Sequence, residues 1–257
     1  MNSPRFYVPE IANQEIVSLT ADDAKHAKSV LRLRSGDRVI LFDGVGLEAE
    51  GEIISCGRSQ VAVAVALSHS VSREVSQRLE LFVSLPKGDR QKQMIDMLVQ
   101  LGVHALSPLV CQRSVAHPTD TALDRLRRSI VESSKQCGRN QLMQIGRPTV
   151  LSDLCRPGLS FNQNSHCLFA HPYGSCRDLR SVLQSSSVTC ESTTIVLVGP
   201  EGGFSEAEVQ RLLDSHWFQF HLGPRVLRIE TAAVSIAAAW AIWNEQSQLS
   251  TASQSHS

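Results

Sequence analysis

Two stretches in the C-terminal part of the chain concentrate the residues able to do chemistry. LVGPEGGFSEAEV, Leu197 to Val209, interrupts an aliphatic run with Gly199, Pro200, Glu201, Gly202 and Gly203. LGPRVLRIET, Leu222 to Thr231, repeats the logic with a Gly-Pro pair at Gly223, followed by Arg225, Leu227, Arg228 and Glu230. A loop almost bare of side chains lets a ligand come close to backbone N–H and C=O groups. Arginines and carboxylates beside it supply a cation for developing negative charge and a group able to take a proton. No Lys-Ser or Lys-Thr follows the glycines, which excludes a P-loop, and their spacing is not the GxGxxG of a dinucleotide site. The expected ligand carries little or no phosphate. The plainer account is that the glycines only make tight turns, that Arg225 and Arg228 face solvent, and that Glu230 complements the positive end of a helix dipole.

The elements that must hold these loops are readable. Ser205 is a good N-cap with Glu208 three residues later, and Phe204 precedes it as a hydrophobic staple, so the first loop joins a strand to a helix. Ligands of open α/β sheets sit at such places, beyond the carboxyl ends of the strands. From Arg78 onward, strand-like runs (LELFVSLP, VHALSPLV, Ile145 to Val150, HCLFA, TTIVLVG, FQFHLG) alternate with helical ones, which predicts a mostly parallel sheet covered on both faces. Helices are expected at Asp89 to Leu101, with Met94, Met97, Leu98 and Leu101 on one face, at Leu123 to Cys137, after Arg177, at Ser205, and from Glu230 to Glu245. The last is apolar all round and rich in alanine. It is expected either to form a dimer interface or to be a core helix of its own domain.

The first seventy residues differ. Short segments separated by Gly and polar turns, with Val61, Val63, Val65 and Leu67 alternating at period two, read as a small β-barrel or sandwich. One helix, Ala21 to Leu31 after Thr20, interrupts it. SHSVSREVSQ, Ser68 to Gln77, reads as a linker. The expected domains are therefore 1–72 and 73–246, with a Ser/Gln-rich disordered tail over 247–257.

At 257 residues, 42% of them hydrophobic, the chain can bury a substantial core. Its formal net charge is zero, so a nucleic-acid partner must meet a local patch. Two candidates exist, Ala24 to Arg38 (Lys25, Lys28, Arg32, Arg34, Arg38) and Arg125 to Arg147 (Arg125, Arg127, Arg128, Lys135, Arg139, Arg147). Seven scattered cysteines without a CxxC pair indicate neither a disulfide framework nor a zinc ribbon. His166, Cys167, His171 and Cys176 match no familiar metal spacing, and no metal is expected. MNSPRFYVPE is too polar for a secretory signal, and Ala232 to Trp243 is too short to span a bilayer. A cytoplasmic protein without a membrane partner is expected.

GPEGGFS followed by LGPRVLRIETA, with LVQLGV, KQCGRN and HAKSVLRLRSGD upstream in that arrangement, resembles the bacterial family that methylates N3 of one uridine in 16S, small-subunit, ribosomal RNA. That family lies within the SPOUT methyltransferase superfamily. The resemblance runs from RFYVP to the last helix. It implies an α/β fold with a C-terminal trefoil-knot methyltransferase domain after a PUA-like or OB-like β-barrel, a homodimer, and S-adenosylmethionine as cofactor. Its cofactor loops fall on His171, on Leu197, Gly199, Pro200, Glu201 and Gly202, and on Leu222, Gly223, Leu227 and Thr231. S-adenosylmethionine carries no phosphate, in keeping with bare loops. Uracil N3 is a good nucleophile only as the anion, so Arg228 is expected to stabilise the charge, and Glu230 or Glu201 to take the proton. Glu201 is equally suited to holding its loop through backbone N–H groups. Lys25, Lys28, Arg32, Arg34, Arg139 and Asn140 are the expected RNA contacts, with Arg139 and Asn140 alternatively reaching a partner's active site or merely following a helix C-cap at Gly138. Two rival classes remain: a non-catalytic RNA-binding scaffold without affinity for the cofactor, and a NAD enzyme, which would lack its fingerprint glycines.

Overall fold

A computed structural model describes residues 3–57, 60–75, 77–115, 118–156, 161, 165–174, 176–185 and 192–254, the side chains of 245–254 excepted. The chain forms two compact units, Met1–Glu74 with Val131–Leu142, and Val75–Ile130 with Met143–Ser257.

The first unit contains β1 (Arg5–Tyr7), β2 (Ile16–Ser18), α1 (Ala21–Ser29), β3 (Arg38–Phe42), β4 (Leu47–Cys56), β5 (Val61–Val65) and β6 (His69–Ser70). The strand order is β1-β3-β4-β5-β2, with β6 on β4; only the β1–β3 pairing is parallel. Among the described residues no ladder joins β1 to β2, so the sheet of the expected β-barrel or sandwich has these two three-residue strands at its edges. Val61 and Val63 enter the core with Leu41 and Ile53, as the alternation requires, but Leu67 lies beyond β5 and is 91% exposed. Thr20 caps α1 by accepting from the Asp23 N–H at 3.2 Å.

The segment expected as a free linker is tied down by partners distant in sequence. Arg5 Nη1 and Arg73 Nη1 donate to Glu48 Oε2 at 2.8 and 3.0 Å, and Arg139 Nε and Nη2 donate to the two carboxylate oxygens of Glu74 at 2.8 and 2.6 Å. Lys135 Nζ reaches Asp23 Oδ1 at 2.6 Å. The Arg139 and Lys135 bonds hold Val131–Leu142 with the first unit, which the boundary at residue 72 did not foresee.

The second unit is built from β7 (Arg78–Val83), α2 (Arg90–Gln100), β8 (Ala105–Val110), α3 (Asp120–Cys137, whose last turns group with the first unit), β9 (Gln144–Ile145), β10 (Thr149–Val150), α4 (Leu151–Leu154), β11 (Ser165–Ala170), β12 (Arg177–Asp178), α5 (Leu179–Ser185), β13 (Thr193–Val198), α6 (Glu206–Asp214), β14 (Phe218–His221) and α7 (Ile229–Gln254). All its pairings are parallel, in the order β10-β8-β7-β13-β11-β14-β12 with β9 on β8. Ile195 and Leu197 of β13 join Leu151, Leu154, Leu212 and Trp217 in one core cluster, while Val196 and Val198 turn to the opposite face. There α7 lies against β7, β13 and α2. The single strand expected over Ile145 to Val150 is two short ones, β9 and β10, with Pro148 between them.

Two helical expectations need correction. In α2 the buried face is Met94, Ile95, Leu98 and Val99, whereas Met97 is 38% exposed; the apolar positions were assigned one helical step too far round. Helix α7 continues through Gln254, so residues 247–254 of the expected disordered tail are helical and 255–257 lie outside the described residues. Nothing between Glu230 and Gln254 is a Gly or Pro that would stop it.

Burial pushes the Glu48 carboxyl up, but hydrogen bonds from Arg73 and Arg5 outweigh it and bring its pKa from 4.5 to about 2. A carboxyl more acidic in the fold than in the unfolded chain contributes stability that is complete above about pH 5 and is lost as the pH falls toward 2. Urea denaturation of Glu48→Gln should show a loss of about 2–3 kcal/mol at pH 7 that shrinks steadily over that window. A loss independent of pH would show that the charge contributes nothing.

Candidate active site

Strands β13, β11 and β14 are neighbours and run in the same direction. Their C-terminal loops therefore leave the sheet at one edge, and they line a single cleft of about 670 Å³. It is walled by His171 and Tyr173 after β11, by Gly199 to Phe204 after β13, and by Leu222, Gly223, Arg225 and Leu227 after β14. The two glycine loops, separate in sequence, thus face one space.

Local physics sets each wall. Ser205 Oγ accepts from the Glu208 N–H at 3.3 Å and Glu208 Oε2 accepts from the Ser205 N–H at 2.8 Å, the expected capping box. The other Glu208 oxygen accepts from the Gln112 N–H at 2.8 Å, which fastens the loop after β8 to the same helix start. Phe204 is buried against Leu212 and Val209, as a staple should be. At Gly199 an added Cβ would lie 3.0 Å from the Phe204 ring, so the loop hugs its own staple. Gly203 and Gly223 hold φ of +68° and +98°, left-handed backbone that favours glycine.

Of the sequence-selected cofactor residues, His171, Gly199, Pro200, Glu201, Gly202, Leu222, Gly223 and Leu227 line the cleft. Leu197 is sealed in the core beneath it, and Thr231 is exposed on α7 outside the lining. The His171 ring sits 5.6 Å edge-on to Tyr173 and 6.5 Å from Phe204. Burial lowers its pKa below 6.5, and its Nδ1 is buried with no hydrogen-bond partner among the described residues. Burial therefore favours the uncharged form of an imidazole that lines the cleft.

Glu201 lines the cleft, whereas Arg228 is exposed beside it and Glu230 lies one residue beyond the lining Ile229. Two arginines bonded to the cleft's glycine loop escaped sequence reasoning. Arg113, after β8, lines the cleft and donates to the Gly202 carbonyl at 2.7 Å. Arg90, at the start of α2, places Nη1 at 3.0 Å from Glu201 Oε1 and 3.5 Å from Glu230 Oε1. The only available signal was position: both follow strands whose carboxyl ends share the loop edge.

The nucleic-acid candidates divide. Lys25, Arg32 and Arg34 are exposed, and Lys28 is half-buried with Nζ on the Gly57 carbonyl at 2.5 Å. Arg139 and Asn140 are buried, 5% and 1% exposed. Asn140 accepts from Arg5 and donates to the Val71 carbonyl at 3.2 Å. Both expected RNA contacts are thus buried and bonded within the first unit, because Arg5 and Glu74 supply partners that local sequence does not reveal. Gly138, with φ +83° and its N–H on the Ser134 carbonyl at 3.0 Å, caps α3 as anticipated.

A parallel α/β unit with bare loops at one sheet edge, in a chain that also carries a small β-rich unit, offers the ligand cleft of an α/β enzyme. The chain belongs to the RNA methyltransferase family: its RNA methyltransferase domain model matches residues 73–241, and an RNA methyltransferase PUA domain model matches 19–65. The ribosomal RNA small subunit methyltransferase E of Bacillus subtilis is 30% identical over 237 residues, 88% of this chain and 91% of that protein. Among solved structures, the same-named protein of Neisseria gonorrhoeae bound to S-adenosylmethionine superposes with a TM-score of 0.82 at 25% identity, covering 93% of this chain and 96% of that one. A putative methyltransferase from Legionella pneumophila in complex with the same cofactor gives 0.82 at 27% identity, covering 93% and 97%.

Gly199→Ala should cost about 1–3 kcal/mol in urea denaturation, since its Cβ must displace the packed Phe204 ring. Adding Phe204→Leu should then cost less than it does in the wild-type background. Additive losses would mean that the two positions do not meet.

Proposed function

We propose that this protein transfers the methyl group of S-adenosylmethionine to N3 of a uridine in 16S ribosomal RNA, as a SPOUT-type knotted homodimer in the cytoplasm. The observation that carries the reading is the convergence of three loops, two of them glycine-proline, on one cleft that has no phosphate-binding lysine among its lining residues. The relatives' names and their bound cofactor support it. No helix among the described residues is long and apolar enough to cross a membrane. The partly exposed face of α7, with Val234, Ala238, Ala239 and Ile242, offers small side chains that permit close approach of a second subunit.

In this reading the Gly199–Gly203 and Leu222–Leu227 loops hold the cofactor through backbone groups, with His171 uncharged beside it so that no second cation opposes the sulfonium. Arg228 stabilises negative charge on the uracil carbonyl oxygens, and Glu230 or Glu201 accepts the N3 proton. Lys25, Arg32 and Arg34 meet RNA phosphates.

Calorimetric titration with S-adenosylmethionine should show saturable binding that a Gly199→Val, Gly202→Val variant loses. A folded wild-type protein that does not bind would leave an RNA-binding scaffold. Replacing Lys25, Arg32 and Arg34 by alanine should leave cofactor affinity unchanged and reduce the salt dependence of RNA binding by a slope of about 2–3. An unchanged slope would remove α1 and the loop after it from the RNA-binding surface.

A further inference from the structure

Three charged groups from three separate elements meet at the edge of the cleft. Arg90, on α2, is shared between Glu201 of the loop after β13 and Glu230 of α7, at 3.0 and 3.5 Å. The two carboxylates are not equivalent. Glu201 is the nearer to Arg90 and its side chain is 57% exposed, whereas that of Glu230 is 13% exposed. Only one Glu230 oxygen faces Arg90; Oε2 is buried with no hydrogen-bond partner among the described residues. A buried acceptor without a donor is costly unless a ligand supplies one. The neighbouring Ile229 and Ala232 line the cleft, so a ligand in it lies next to this helix turn.

We infer that Glu230 Oε2 is the base that receives the N3 proton of uracil, and that Arg90 with Glu201 is the positioning pair that holds it. The assignment rests on the methyltransferase reading above. One cation against two carboxylates leaves the cluster one negative charge in excess. When the N3–H bond breaks, its electron pair stays on the ring, spread over N3 and the carbonyl oxygens, and the proton passes to Oε2. Arg90 and Glu201 then remain as a neutral pair beside a neutral acid. The N3 pair forms the new N–CH3 bond while the C–S bond breaks toward sulfur, which leaves S-adenosylhomocysteine. Glu201 plays a different part, since its contact with Arg90 anchors the glycine loop against α2.

Three variants test this in the full-length protein, with methylation of 16S RNA and cofactor calorimetry measured side by side. Glu230→Gln should lower kcat about 10²-fold or more with cofactor affinity held within about twofold. Its rate should keep rising with pH, as solvent ionises N3, where the wild-type rate levels off. Arg90→Ala should lower kcat about tenfold with little change in KM for RNA, and Arg90→Lys should recover part of it. Glu201→Gln should cost less than Glu230→Gln. The assignment is overturned if Glu230→Gln keeps kcat within threefold of wild type, if Glu201→Gln is the more damaging, or if Arg90→Ala changes only cofactor affinity. Failure of the wild type to bind S-adenosylmethionine would instead sink the underlying reading, a distinct result visible in the calorimetry alone.

Discussion

Parallel pairing of β13 with β11, and of β11 with β14, forces three chain segments to finish at the same edge of one sheet. Strand β13 is buried on both faces, and where each of the three strands ends the loop that follows must find partners for the freed peptide groups. Glycine-rich loops solve this by leaving the groups open to a ligand instead of covering them. The cleft is thus a consequence of strand direction, and the residues on its wall are those that chance to follow each last paired position.

What keeps such bare loops from collapsing is their fastening to neighbouring elements. Glu208 uses one oxygen to cap α6 and the other to hold the Gln112 N–H. Arg113 takes the Gly202 carbonyl, and Phe204 plugs the core beneath Gly199. Arg90 extends the same device to charge, joining the β13 loop to α7 through two carboxylates. A site pre-set by fixed dipoles and ion pairs needs little rearrangement when charge develops.

The first unit uses ion pairs for another purpose. Glu48, Glu74 and Asp23 each bind an arginine or lysine far away in sequence, and the pairs of Glu74 with Arg139 and of Asp23 with Lys135 attach Val131–Leu142 to the first seventy-odd residues. Removing one member would strand a buried charge, so these pairs specify where the chain must go more than they add net stability. The same fact explains why the second basic patch is thinned on folding: Lys135 and Arg139 are spent on internal partners, while Arg125, Arg127, Arg128 and Arg147, like Lys25, Arg32 and Arg34, stay open to solvent.

Short-range order was legible in the residues themselves. The Ser205 capping box, the Thr20 cap, the Gly138 stop and the alternation of strands and helices after Arg78 depend on neighbours within four positions or on periodicity, and the folded chain keeps them. Both loops could be selected because glycine and proline betray backbone demands wherever they occur. Arg90, Arg113, the burial of Arg139 and Asn140, the sealing of Leu197 and the unpaired Glu230 oxygen were invisible, since each depends on a partner brought from a distant part of the chain. An arginine at a helix start reads the same whether it meets solvent or two carboxylates. The amino-acid order determined which segments become strands and helices and where the backbone is left bare; only tertiary packing decided which charges meet there, because contact between remote side chains is set by the register and direction of whole strands.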